Sequence, residues 1–418
     1  MIHIIYLCIA VLIYGITRSL YYKKPELFLC LLIFINFEFF FLIPSIGKFD
    51  NYRVMLLPII FFLITELGLA GKLRGGAFGL LVFSYICLLV IGILTAFSNG
   101  QPLLLGVKAI KFQLPFFVYF IVVSQDVDIE KFANYLITIS LLLVGLIALN
   151  LHVFNGNLFA KSSEELMRER LGMIRFTMGE KMLSIGCVMA FVKFLKNQPK
   201  FHLIFFLLLF FHLFFIVQTR MVILSTMLSC FTIFLLCREM DVKLLVFAIV
   251  ITFLAIPSAF LFGTMLIKVG LVDKTITDIR EKGGSWQARV QTYKYYTSKI
   301  AESPVWGYGH ENINWEKSPE PKLMERCIYK GDIGITHFFY ENGMFGMVWF
   351  IAMMCGVVRM LWSCRREYPE ILSYFLMAFF AMTTLDFFFL SNEILLFGIF
   401  LGLLGQISSH YKAERRNF

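Results

Sequence analysis

Glu38, Lys108, Lys111, Glu180 and Asp386 stand inside long apolar runs, and Arg220 and Glu393 stand at the ends of others. A charge in the hydrocarbon core of a bilayer costs at least ~2.5–3.5 kcal/mol, so each is a functional candidate by default. Taken singly, Glu38, Glu66 and Glu393 read as snorkelling or helix-pairing charges. The basic residues read differently as a group. Lys108 and Lys111 are three apart and share a helix face. With Arg168, Arg170, Arg175 and Arg220 they form a basic set suited to an anion, because Arg forks match phosphate oxygens bidentately. A lipid diphosphate at headgroup depth fits that set. Anionic phospholipid headgroups fit it equally well.

The elements that must position these charges are membrane spans. The chain is 59% hydrophobic and 16% charged, against roughly 45–50% apolar and about 25% charged in soluble domains. The excess lies in runs such as Leu203–Phe215 and Leu244–Phe262. About 20 apolar residues cross the bilayer, and in lipid the backbone must bond to itself, which makes each run helical. The reading is therefore all-α, a polytopic transmembrane helical bundle. Spans are expected at 2–17, 26–44, 54–70, 77–97, 103–124, 132–154, 176–195, 201–217, 220–237, 243–266, 336–360, 371–389 and 392–408. Residues 1–266 form the N-terminal helices, 267–335 one long outer loop, and 336–418 the C-terminal helices with a short tail. Within the loop, Ser285 is expected to cap a helix through Ala301, with Trp286, Val290, Tyr293 and Ile300 on a face that lies on the membrane surface.

Lys and Arg mark inner loops. With the C-terminus inside, Arg18/Lys23/Lys24, Lys72/Arg74, Lys131, Lys196/Lys200, Arg238/Lys243, Arg359/Arg365/Arg366 and Lys412/Arg415/Arg416 all fall on the inner side. The net charge of +10 is thus mostly a topology signal and argues against a nucleic-acid partner. The nine Cys sit mostly in apolar runs, apart from Cys327, with no CxxC and no Cys/His cluster, so neither a disulfide framework nor a metal site is indicated. Met1–Gly15 lacks a basic leader and a cleavage site, and reads as a retained span. The 48 Phe suit lipid-facing surfaces and carry no functional signal.

Three local patterns add a family. Gln218-Thr219-Arg220 opens a span. Gly284-Ser285-Trp286-Gln287-Ala288-Arg289 is followed, after a helical stretch, by Ser303-Pro304-Val305-Trp306-Gly307-Tyr308-Gly309. Asp332-Ile333-Gly334 leads to Tyr340-Glu341-Asn342-Gly343-Met344-Phe345-Gly346 at the next span. In this order, over roughly residues 215–350, they resemble the O-antigen polymerase/ligase superfamily of bacterial surface-glycan enzymes.

The resemblance implies a multi-pass protein of the bacterial inner membrane with its active site facing the periplasm. It implies metal-independent, inverting glycosyl transfer without a cofactor. The donor would be an undecaprenyl-diphosphate-linked glycan, attacked by a hydroxyl of the next lipid-linked repeat. Arg220 and Arg289 would bind the diphosphate. Gly307 and Gly309 would shape a tight turn, and Gly343 and Gly346 would let the re-entering helix pack closely. Membrane lipids and a polysaccharide chain-length regulator are the implied partners. Ligases of the superfamily carry a His-Asn pair about a dozen residues before the entering glycine. Here that stretch reads Lys330-Gly331-Asp332, which favours polymerase over ligase. The catalytic base is left among Asp332, His337, His310 and Glu341. A lipid-linked glycan flippase is the alternative of another class. It calls for a polar path reaching both leaflets, whereas these charges bunch on one side.

Overall fold

A computed structural model gives the fold and describes residues 11, 14–16, 18–37, 42, 56, 58–69, 75–156, 158–159, 167–170, 173–176, 178–196, 201–236, 284–326, 328–382, 385–390 and 393–416. The span expected at 243–266, most of that at 2–17, Glu38, Cys327 and the first part of the long loop lie outside the described residues, as do the side chains of Glu66 and Trp286.

The described chain is helical. In order it holds α1 (Pro25–Asn36), a π-helical stretch (Phe62–Leu69), α2 (Gly79–Ser98), α3 (Leu103–Ala109), α4 (Val118–Val123) and α5 (Ile129–His152). A hairpin of β1 (Met167–Arg170) and β2 (Met173–Phe176) follows. Then come α6 (Glu180–Leu195), α7 (Phe201–His212), α8 (Arg220–Leu236), α9 (Gly284–Glu302), α10 (Glu320–Glu325), α11 (Thr336–Cys364), α12 (Pro369–Ala381) and α13 (Glu393–Arg416). Among the described residues, α2, α5 and α11 are each long and apolar enough to cross a membrane alone, and shorter apolar helices accompany them. This is an all-α membrane protein.

Local chemistry explains the helix starts. Pro25 and Pro369 sit at the first turn of α1 and α12, where a missing N–H is harmless. Asp128 caps α5 by accepting from the Lys131 amide at 3.0 Å. The lipid-facing surface is apolar: Leu80 of α2 is 82% exposed. The centre is the reverse, with most of α6 buried among α5, α7, α8 and α12. Rings fill that centre, with Phe338 stacked on Phe389 at 4.0 Å and Tyr374 on Phe400 at 4.2 Å.

Two expected spans are broken rather than continuous. The span expected at 103–124 bends by 52° between Leu103–Phe112 and Leu114–Val123. Pro115 follows directly and cannot donate to the helical ladder. The span expected at 371–389 is helical only to Ala381. Asp386 ends the possibility of helix there, because its Oδ1 accepts from the amides of Phe388 (2.6 Å) and Phe389 (2.9 Å) in place of carbonyls four residues back. In the long loop, α9 begins at Gly284, so Ser285 lies inside its first turn. Its Tyr293, Tyr296 and Ile300 pack with Ile333 and Tyr340, so this face is docked on protein and not on the membrane surface.

Candidate active site

The conformation at three glycines builds the site. Gly307, Gly309 and Gly343 have φ of 70°, 76° and 56°, a region that only glycine enters without strain. Gly343 interrupts α11 from within. The carbonyls of Tyr340 and Glu341 thereby lose their helical partners and accept instead from the amides of Tyr308 and Gly309, both at 2.9 Å. The amide of Met344 turns in exchange to the carbonyl of Pro304 at 2.8 Å. A Cβ on Gly307 would lie 2.6 Å from the Tyr340 carbonyl oxygen, and one on Gly343 would strike the Val305 carbonyl. The two glycine motifs are therefore one device, a loop that repairs the hydrogen bonds of a broken helix. Gly346 is buried on α11 against its own Asn342 and Phe338.

That clamp sets the side chains beside it. His310 follows Gly309, Glu341 lies two residues before Gly343, and His310 Nδ1 meets Glu341 Oε2 at 3.0 Å. Gln101 fixes the loop further, donating to the His310 carbonyl at 3.0 Å and accepting from the Asn312 amide at 2.8 Å. Asn312 in turn donates to the Leu105 carbonyl at 3.1 Å.

A cavity of about 720 Å³ opens against this clamp. Lys108 and Lys111 line it from the bent α3 segment, with Gln113 at the bend. His310, Glu311 and Asn312 line it from the loop, and Glu320 from α10. Lys330, His337 and Glu341 come from the entry to α11, and Phe389 from the irregular stretch before α13. Both broken spans thus end at the cavity, and Gln113 joins them. It accepts from the Tyr85 hydroxyl at 2.9 Å and donates to the Phe389 carbonyl at 3.3 Å. Interrupted helices are tolerated at membrane depth where they line a cavity.

The wall mixes charges. Lys330 Nζ stands 3.6 Å from Glu341 and 3.7 Å from Glu320. Burial works against the Lys330 charge, but Glu341, Glu320 and Glu311 outweigh it and hold its pKa above the usual lysine value. Burial also pushes the Glu311 carboxyl up, further than Lys330 and the Tyr340 hydroxyl pull it down. His337 Nδ1 lies 2.8 Å from the Gly334 carbonyl and 3.3 Å from Asp386 Oδ2. A carbonyl can only accept, so Nδ1 carries the proton toward it, with the carboxylate beside it as a negative charge. Nε2 is then the nitrogen left for the cavity. His310 differs, because its Nε2 is enclosed without a hydrogen-bond partner, its ring packed against Gly92.

Of the residues singled out in the sequence, Lys108, Lys111, His310, His337 and Glu341 meet at the cavity. Gly307 and Gly309 hold it from behind. Asp332 sits on the 3-10 turn Lys330–Ile333 beside the lining residue Gly331, and does not itself line the cavity. Arg289 is half-buried on α9, and Arg220 is exposed at the first position of α8; neither lines the cavity. Arg168 and Arg175 are register partners in the hairpin, and Arg170 pairs with Met173. Their side chains lie outside the described residues.

Gln113, Glu311, Glu320 and Lys330 are cavity residues that sequence reasoning passed over. Pro115 inside a span was the available signal for the bend at Gln113, and Glu311 adjoins His310. Nothing local distinguishes Lys330 or Glu320 from ordinary loop charges. Among the described residues, no group of three or more His, Cys, Asp or Glu could hold a metal ion.

No curated protein matches the chain. Residues 203–351 match the family described as O-Antigen ligase, a stretch that runs from α7 into α11 and contains the whole glycine clamp. Over this segment, which is less than half of its length, the chain is similar to the O-antigen polymerase/ligase superfamily, whose members are glycosyltransferase-like enzymes.

Proposed function

We propose that this protein is a surface-polysaccharide polymerase. It transfers a growing undecaprenyl-diphosphate-linked glycan onto the next lipid-linked repeat at the outer face of the bacterial inner membrane. The observation carrying this reading is one cavity that offers both amines, Lys108 and Lys111, and an imidazole backed by a carboxylate, His337 with Asp386.

Of the four bases left open by the sequence, His337 fits best. Asp332 is off the cavity wall. Glu341 is engaged by His310 and Lys330. His310 has its second nitrogen enclosed. In the reaction, the acceptor hydroxyl oxygen bonds to the anomeric carbon of the donor. The bond from that carbon to the diphosphate oxygen breaks, and its electron pair leaves with the diphosphate. The hydroxyl proton passes to His337 Nε2. A single displacement inverts the anomeric centre. The leaving diphosphate gathers negative charge, which fixed amines stabilise more in the transition state than before it. Lys108 and Lys111 take that role at the cavity. Arg220 and Arg289 keep the diphosphate-binding role implied by the family, and full polymer synthesis by both alanine variants would remove it.

The ligase reading shares this chemistry with a different acceptor. Lys330, in the stretch where ligases carry a His-Asn pair, instead bridges Glu320 and Glu341 by charge, which favours polymerase. A flippase is disfavoured by the ion-paired far end of the bundle, where Lys196 holds Glu370 at 2.8 Å and 3.0 Å. The test is a gel of lipopolysaccharide and lipid-linked glycan from a deletion strain beside its parent. Core with a single repeat and no ladder supports polymerase. Bare core with long polymer left on undecaprenyl diphosphate means ligase. An unchanged ladder removes this glycan as the substrate.

A further inference from the structure

We propose that Lys181 is a positioning residue for this reaction, acting on His337 through the irregular segment Asp386–Leu390. The inference rests on the reading of His337 as the base. Lys181 lies in the first turn of α6 and is 8% exposed, yet it does not line the cavity. A buried lysine is costly unless paired and hydrogen-bonded. Its Nζ reaches Glu393 Oε1 at 3.0 Å and the main-chain carbonyl of Asp386 at 2.7 Å, and lies 5.1 Å from the ring centre of Phe387. Asp386 and Phe387 belong to the link between α12 and α13, and Glu393 opens α13.

Among the described residues, no backbone–backbone hydrogen bond forms at Asp386. The Asp386 carboxylate does two tasks at once. One oxygen holds the amides of Phe388 and Phe389. The other lies 3.3 Å from His337 and has no hydrogen-bond partner. Its place beside the imidazole is therefore set by the backbone that carries it, and Lys181 is the side chain that grips that backbone at Asp386. Glu393, at the start of α13, fixes the lysine in turn. The neighbouring residue extends the same brace. Glu180 Oε2 accepts from the Thr219 hydroxyl at 2.5 Å, next to Arg220. The first turn of α6 thus joins the turn that carries Arg220 to the backing of His337. Gly179 enters this turn at φ 64°, where a Cβ would also strike Leu143.

The test uses the full chain in lipid nanodiscs with a lipid-linked repeat as substrate. Lys181→Met is expected to lower kcat by roughly ten- to hundredfold, the scale of an ångström-level misplacement, with KM unchanged. Asp386→Asn should lower it similarly, and the double variant should be no slower than Asp386→Asn alone, because both act through one contact. Lys181→Met/Glu393→Gln removes both buried charges, so it keeps the bundle neutral should the single variant fail to fold. It is expected to fold and to stay slow. Hydrogen exchange gives a readout apart from activity: the amides of Phe388 and Phe389 should exchange faster in either Lys181 variant. Multiplicative losses in the double variant, a rise in KM alone, unchanged exchange, or full turnover of Lys181→Met/Glu393→Gln each overturn the proposal. His337→Ala run in parallel separates the two readings. Full turnover there overturns the base and this proposal together, whereas loss there with full turnover of the charge-neutral pair overturns the role of Lys181 alone.

Discussion

The two ends of the bundle use the same residue types to different ends. At the end away from the long loop, a depression of about 670 Å³ is lined by Lys23, Lys24, Glu26, Asp126, Asp128 and Lys131. Its carboxylates serve ordinary structure. Asp128 caps α5, Glu26 accepts from the Asp128 amide at 2.9 Å, and Asp126 accepts from Gln406 at 3.2 Å. Nearby, Lys193 meets Glu130 at 3.1 Å and Lys196 meets Glu370. At the other end, charges of both signs surround a cavity walled by broken helices and backed by the positive-φ glycines of the clamp. The difference is one of backbone. Regular helix ends absorb polar groups into caps and ion pairs. Interrupted helices hold them against a space they do not fill. Composition alone would rank the two ends alike.

The sharpest way to break this comparison is at the imidazole. His337→Ala is expected to reduce polymer formation by roughly 100-fold or more, the usual contribution of a positioned base, measured as ladder intensity per mole of membrane-inserted protein. If turnover survives, the cavity is not the reacting end. The mirror experiment is at the far end. Lys196→Met leaves Glu370, which is 2% exposed, buried without its partner. It should cost about 1–3 kcal/mol of stability while turnover per folded molecule stays unchanged. A matching loss of turnover would mean that the far end also takes part in the reaction.

The clamp predicts a stability loss with a local origin. Gly343→Ala places a side chain at φ 56° against the Val305 carbonyl and is expected to lower stability by about 1–3 kcal/mol, read from thermal unfolding in detergent. The anion role of the lysines is a transition-state effect. Lys108→Gln with Lys111→Gln should lower kcat roughly tenfold, the loss of about 1.4 kcal/mol of stabilisation of the leaving diphosphate, with KM for the lipid-linked donor less affected. An unchanged kcat would move the leaving diphosphate away from this wall.

The smallest effect is in pH dependence. Glu311 has its pKa raised by burial. Its stabilising contribution is therefore fully present below the unfolded carboxyl value near ~4.3 and is lost as pH rises through the raised folded value. Glu311→Gln should flatten that fall in a series of thermal melts. A parallel slope in both proteins would remove Glu311 as its source.

Much of the fold was legible because hydropathy is a property of each segment. The spans expected at 77–97 and 132–154 correspond to α2 and α5, and the division of 201–217 from 220–237 falls at the turn where Gln218 is left-handed. The breaks at Gln113 and after Ala381 were not foreseen. Both lie in apolar sequence, and the second depends on one aspartate turning its carboxylate onto the amides that follow it. Among site residues, His310, His337, Glu341, Lys108 and Lys111 were marked by residue type or motif and do meet. Lys330, Glu320 and Gln113 were not, because each gains its role from a partner that no local pattern marks: Gln113 from Phe389, far along the chain, and Lys330 from Glu320 and Glu341, brought to it by the folding of the loop onto the entry of α11.

The sequence by itself determined that the chain is a helical membrane protein, because bilayer burial acts on each segment locally. Only the tertiary structure decided which charges share a space, which imidazole nitrogen faces it and which lysine stands behind it. Those outcomes depend on carbonyls and carboxylates brought together from separate spans, with helices interrupted so that their hydrogen bonds are completed by another part of the chain.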